Sequence, residues 1–226
     1  MLEEIKSENC PQVVLSSEGF TLNSETDISW IHERLTGFDV EILLYLRNPL
    51  ELMISRYKQQ IKTGKTSDMP QVFFQDRHAY CDYVGLLERW AAIWGTDHVT
   101  FRLFDKCKRT PGLVPDFMLA TGLCEAEVDI AGHLNVNVSP SDEATATLRM
   151  LNRRVKPHGP LGKIRRQVVR ETTIGRGLVR LLRAGAHTPL ISVADIENLK
   201  QELRPLNERF TTEYLEEADR AFFELG

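Results

Sequence analysis

The seven residues from Val40 to Leu46 (VEILLYL) are apolar almost without a break and meet Arg47-Asn48-Pro49 with no loop between. A short run of this kind is how a strand covered on both faces by helices reads, which predicts a parallel sheet. Asn48 can cap a helix and Pro49 can take its first position, while Leu50, Met53, Ile54, Tyr57 and Ile61 recur on one face. A helix is therefore predicted to begin where the strand ends. That junction sets the Arg47 guanidinium beside backbone N–H groups at the positive end of a helix, an arrangement suited to an anion.

A second apolar run, Gln12 to Ser16 (QVVLS), predicts an earlier strand. Between the two, Ser24 and Asp27 form a capping-box start, and Ile28, Ile31 and Leu35 give a helical stripe that ends near Gly37. The spacing predicts a further helix over His78 to Trp94, stopped by Gly95, and a third strand over His98 to Phe104. Beyond it the pattern is helical: a short segment from Val114 to Ala120, a helix opened by Ser139-Pro140, another capped by Ser192 and Asp195, and a last one begun by Pro205. The fold class expected is α/β, a parallel sheet flanked by helices with a helical C-terminal region. Residues 1–226 form one domain, 1–135 the α/β core and 136–226 the helical part.

With 42% hydrophobic residues the chain can bury the core of one domain, and a formal charge of -4 argues against nucleic acid as its partner. Cys10, Cys81, Cys107 and Cys124 contain no CxxC pair, and none of the six histidines has a ligand-like spacing, so no metal site is expected. The N-terminal MLEEIK is acidic and without an apolar core, and no apolar run approaches the roughly 20 residues of a membrane span. The reading is a cytoplasmic protein with reduced thiols and no membrane partner.

Ser55 stands seven residues after Asn48, close to two helical turns, so its hydroxyl returns to the face of the junction. Arg47 and Ser55 are thus the candidate anion-binding pair, the planar guanidinium suiting a phosphate better than a lysine would. The alternative is an arginine that pairs with a nearby carboxylate and a serine merely tolerated in a helix.

The string Y-L-R-N-P-x-x-x-x-x-S-R-Y-x-Q, Tyr45 to Gln59, resembles the 3′-phosphate-binding motif of the sulfotransferase family, which normally reads R-D-P where Arg47-Asn48-Pro49 stands. Similar texture extends to Val13–Glu18, Asp82–Trp90, Asn135–Asn152 and Leu206–Phe210, like bacterial members. The resemblance implies a fold similar to nucleotide kinases. It also implies metal-free transfer of a sulfuryl group from 3′-phosphoadenosine 5′-phosphosulfate to a hydroxyl or amine of a small-molecule or glycan acceptor. Arg47 and Ser55 would hold the 3′-phosphate. The acceptor must lose a proton, and Glu18, at the carboxyl end of the first expected strand, is the candidate base. A solvated or ion-paired turn glutamate is the other reading of that residue.

Family members open with a strand and a K-x-G-T-T-like loop around the 5′-phosphosulfate, and nothing before Val13 resembles it. Lys62-Thr63-Gly64-Lys65-Thr66 is not that loop. It trails a helix, and Gln59 stands where a P-loop needs its earlier glycine. The expectation is a chain shortened at its start that keeps the nucleotide's 3′ end and depends on residues from elsewhere for turnover.

Between Arg149 and Arg183 eleven basic residues stand against one acid, Glu171. Arg165, Arg166 and Arg176 are candidate contacts for an anionic ligand; a solvated helix face is the alternative. Three function classes are open: a sulfotransferase, a catalytically impaired nucleotide-binding remnant, and a basic interaction module for an anionic polymer. An incomplete sheet edge also invites pairing with a second copy.

Overall fold

A computed structural model describes residues 11–75, 77–123, 140–153, 168–169, 173–183 and 189–226. In order, the chain forms α1 (Glu25–Arg34), β1 (Ile42–Leu46), α2 (Pro49–Thr63), α3 (Pro70–Phe74), α4 (Tyr83–Trp94), β2 (Val99–Leu103), α5 (Phe104–Arg109) and α6 (Leu113–Thr121). Next come α7 (Asp142–Asn152), α8 (Thr173–Arg183), α9 (Val193–Tyr214) and α10 (Glu217–Arg220). The fold is mixed α/β and mostly helical, and β1 and β2 pair in parallel, Ile42 opposite Val99 through Leu46 opposite Leu103.

Local chemistry sets most of the boundaries. Ser24 and Asp27 close a reciprocal capping box on α1, and Ser192 and Asp195 do the same on α9. Gly64 ends α2 in the left-handed region at φ 78°, its N–H and that of Lys65 returning to the carbonyls of Ile61 and Gln60. The Gly64-Lys65-Thr66 triplet is thus a helix terminus rather than a phosphate loop. Helix α4 starts later than the periodicity predicts, because His78–Cys81 is a 3-10 turn and Asp82 supplies the cap of the α-helix itself.

Three sequence expectations fail here. Gln12–Ser16 is not a strand among the described residues: Val13, Val14 and Leu15 are about 40% exposed and pair with no sheet edge, so an apolar run without a hydrogen-bonded neighbour stays irregular. Helix α7 is capped by Ser141, whose hydroxyl accepts from the Ala144 N–H, while Pro140 lies outside it. Pro205 does not begin a helix but lies inside α9. Packing overrides the missing hydrogen bond there: Leu199 and Leu203 before the proline and Phe210 after it are all buried.

Two apolar clusters form the core. One packs Leu44, Leu46 and Leu103 of the sheet against Val84, Leu87 and Trp90 of α4, Ile28 of α1 and Phe210 of α9. The other joins Met53, Tyr57 and Ile61 of α2 to Phe73 and Phe74 of α3, Leu148 of α7 and Leu199 and Leu203 of α9. Helix α9 belongs to both, so it ties the sheet side of the molecule to the helical side. Cys81 and Cys107 are buried free thiols, the former pushed up to about 12 by burial; Cys10 and Cys124 lie outside the described residues. No helix among the described residues is long and apolar enough to cross a membrane.

Candidate functional site

The β1–α2 junction is anchored from four directions. Asn48 caps α2, its side-chain oxygen accepting from the N–H groups of Leu50 and Glu51 at 3.0 and 3.4 Å. Its amide nitrogen reaches across to the backbone carbonyls of Phe222 and Glu224 near the C-terminus. The Asn48 N–H donates to Asp105 at 3.1 Å, and the Tyr83 hydroxyl donates to the Arg47 carbonyl at 2.6 Å. Burial holds the Tyr83 phenol well above its usual range, so it stays a donor. Strand register explains the lateral contacts: Leu46 faces Leu103, so one and two steps beyond the ladder Arg47 faces Phe104 and Asn48 faces Asp105.

Arg47 is consequently held at the carboxyl end of a parallel strand, where such sheets place ligand-facing groups. Its guanidinium carbon lies 5.3 Å from the centre of the Phe104 ring, and Nη2 makes a 2.8 Å ion pair with Glu51 in the first turn of α2. Its Nε is buried with no hydrogen-bond partner among the described residues. Ser55 stands one further turn beyond Glu51, exposed, its hydroxyl without a partner among the described residues. Glu51 and Ser55 therefore stand on one face of α2 at i, i+4 spacing, and Arg47, which precedes the helix, reaches the first of them.

Two features of this arrangement differ from the sequence expectation. The first N–H groups of α2 are not free, because Asn48 takes those of Leu50 and Glu51 and the Leu52 N–H already bonds to the Asn48 carbonyl. An anion here must be held by side chains. Glu51 also sits between the two candidate residues as a competing carboxylate, and its ion pair with Arg47 must open for a phosphate to bind.

Glu18 does not close a strand. It opens a 3-10 turn, Glu18–Leu22, capped by Ser17, and its side chain is exposed. Phe20 of that turn packs edge-on against Trp90 of α4. No contact of Glu18 with Arg47 or Ser55 is seen among the described residues. Arg176 is exposed on α8, which packs on α7, while Arg165 and Arg166 lie outside the described residues. Of the basic stretch, Arg149 has a structural role, donating to the Tyr57 hydroxyl at 3.0 Å.

Sequence reasoning missed a buried polar hub beside the junction. Asp116 of α6, 2% exposed, accepts both prongs of the Arg102 fork from β2 and the Tyr45 hydroxyl from β1 at 2.7 Å. The Arg102 guanidinium, with the Tyr45 and Cys107 hydrogen bonds adding to it, outweighs burial and holds the Asp116 carboxyl at about 2. One carboxylate thus fastens both strands to α6. An apolar strand carrying Tyr45 and another carrying Arg102 at facing register positions was the available signal. The Asp on a distant helix that completes the hub leaves no local pattern.

Comparison of the chain with protein-family models, with curated proteins and with solved structures finds no match.

Proposed function

We propose that this chain binds the 3′-phosphate end of a phosphoadenosine nucleotide through Arg47 and Ser55, as a sulfotransferase-like protein with a fold related to nucleotide kinases. What supports the reading is the geometry of one arginine. Arg47 is buried in part, fixed by its own backbone at the carboxyl end of a parallel strand, and has a buried Nε with no partner among the described residues. A guanidinium used only to pair with a surface carboxylate does not require its carbonyl to be held by Tyr83 and the next residue's N–H by Asp105.

In this reading a phosphate displaces Glu51, takes a forked contact from Arg47 and accepts from the Ser55 hydroxyl. The donor is 3′-phosphoadenosine 5′-phosphosulfate and the acceptor a hydroxyl or amine, in a reducing, cytoplasmic setting that suits the buried thiols of Cys81 and Cys107. The sequence carries no K-x-G-T-T-like loop to stabilise charge on the leaving phosphate. Such donors are worth roughly 100- to 1,000-fold in rate each, so residues outside this sequence would have to supply them for turnover.

Calorimetric titration with adenosine 3′,5′-bisphosphate tests this proposal. Binding to the wild-type chain is expected, and Arg47→Ala should weaken it roughly 10- to 150-fold, the equivalent of the about 1.5–3 kcal/mol of a charged hydrogen-bonded contact. Glu51→Gln, which removes the competing carboxylate and keeps the guanidinium, should tighten it. Equal affinity in all three proteins would dismiss the motif.

A further inference from the structure

At the opposite, amino-terminal end of the sheet, Asp39, Glu41 and His98 converge, one ligand atom from each lying within 4.8 Å of the others. We propose that these three side chains bind a divalent first-row transition ion of the zinc class, which clips the entrance of β1 to the entrance of β2. The site is separate from the Arg47 junction and does not depend on the nucleotide reading.

Strand register brings the group together. Ile42 pairs with Val99, so one step before the ladder Glu41 faces His98, and Asp39 lies two residues before Glu41, the spacing that returns a side chain to the same side of an extended chain. Gly95, at φ 91°, ends α4 and opens the 3-10 turn Thr96–His98 that delivers the imidazole. Glu41 and His98 stand 57 positions apart, so sequence spacing gives no hint of the pairing.

The histidine geometry points to an ion rather than to a loose acidic surface: the imidazole is 44% exposed overall, yet the ring nitrogen that faces the carboxylates is shut from solvent. The His98 Nδ1 atom is buried and makes no hydrogen bond among the described residues, although carboxylates stand beside it. Its distance to the Glu41 carboxylate is 3.4 Å, long for a hydrogen bond. It matches the edge of a tetrahedron of donors around a zinc ion with bonds of about 2.0–2.1 Å, roughly 3.3–3.4 Å. An imidazole with two carboxylates suits zinc, manganese or cobalt, and three protein ligands leave further positions to water. Asp39 and Glu41 are exposed, so their carboxylates can close the remaining distance without disturbing the core.

The consequence is mechanical. An ion bridging Glu41 and His98 closes the long α2–α3–α4 crossover at its base, and because the unfolded chain offers no preformed site, binding energy becomes folding energy. The test is calorimetric titration of the full chain with Zn2+, repeated on Glu41→Gln, Asp39→Asn and His98→Ala, with urea unfolding of each in the presence and absence of the ion. Loss of a partner that merely orients a metal ligand costs roughly 10- to 100-fold, so each substitution should weaken binding at least about tenfold. Zn2+ should raise the urea midpoint of the wild-type chain and leave that of the variants unchanged. Absence of Zn2+ binding, or affinity and midpoint shift that persist in Glu41→Gln and Asp39→Asn, would overturn the proposal. Those two exposed substitutions keep the test valid should His98→Ala fail to fold.

Discussion

Phe210→Ala is expected to destabilise the chain by about 3–5 kcal/mol, the usual cost of emptying a buried aromatic site. Phe210 is fully buried, and its ring meets those of Tyr83, Phe101, Tyr214 and Phe223 at centroid distances of 5.4, 5.6, 5.8 and 5.1 Å. It thus touches β2, α4 and the C-terminal turn at once. The loss should spread to the β1–α2 junction, because Tyr83 holds the Arg47 carbonyl and the turn containing Phe223 presents the carbonyls that hold Asn48. For a chain of this length each kcal/mol lowers Tm by roughly 2–4 °C, so a thermal scan is a sufficient measurement. A shift no larger than that of a surface substitution would mean that the Phe210 ring does not join β2, α4 and the C-terminal turn as described.

Asp116→Asn should cost about 1–3 kcal/mol, the penalty of leaving hydrogen-bonding groups at the hub with a poorer partner. Losses of about 3–5 kcal/mol are typical where both charges are fully buried. The smaller figure applies here because the Arg102 side chain is 36% exposed and can turn to water. The same residue predicts how stability changes in acid. Its folded carboxyl titrates at about 2, below the ordinary value near 4, so the unfolded chain takes up the proton first as pH falls. The stabilisation is complete above about pH 4 and is lost on acidification towards about pH 2. Urea midpoints across that window should fall steeply for the wild-type chain and less steeply for Asp116→Asn. Parallel curves would show that the carboxylate is not the group that titrates.

What could be read in the sequence was what neighbouring residues decide. Asn48-Pro49 announced a helix start, Ser24 with Asp27 and Ser192 with Asp195 announced two more, and the apolar runs at Val40–Leu46 and His98–Phe104 became the paired strands. The failures share a cause, since each depended on a partner far along the chain. Gln12–Ser16 has strand composition but no strand beside it among the described residues, and Pro205 looks like a beginning until burial on both sides carries the helix through. At the candidate site Arg47 and Ser55 could be picked out because strand, cap and helical spacing are local. The roles of Asp105, Tyr83 and Asp116 depend on α5, α4 and α6 folding against β1 and its junction, which no window of sequence around Arg47 contains.

The sharpest measurement on the central claim is the affinity difference between adenosine 3′,5′-bisphosphate and adenosine 5′-monophosphate for the wild-type chain. If Arg47 and Ser55 grip the 3′-phosphate, the bisphosphate binds at least about tenfold more tightly, the equivalent of one charged contact. Equal binding of the two nucleotides, or binding of neither, would contradict it.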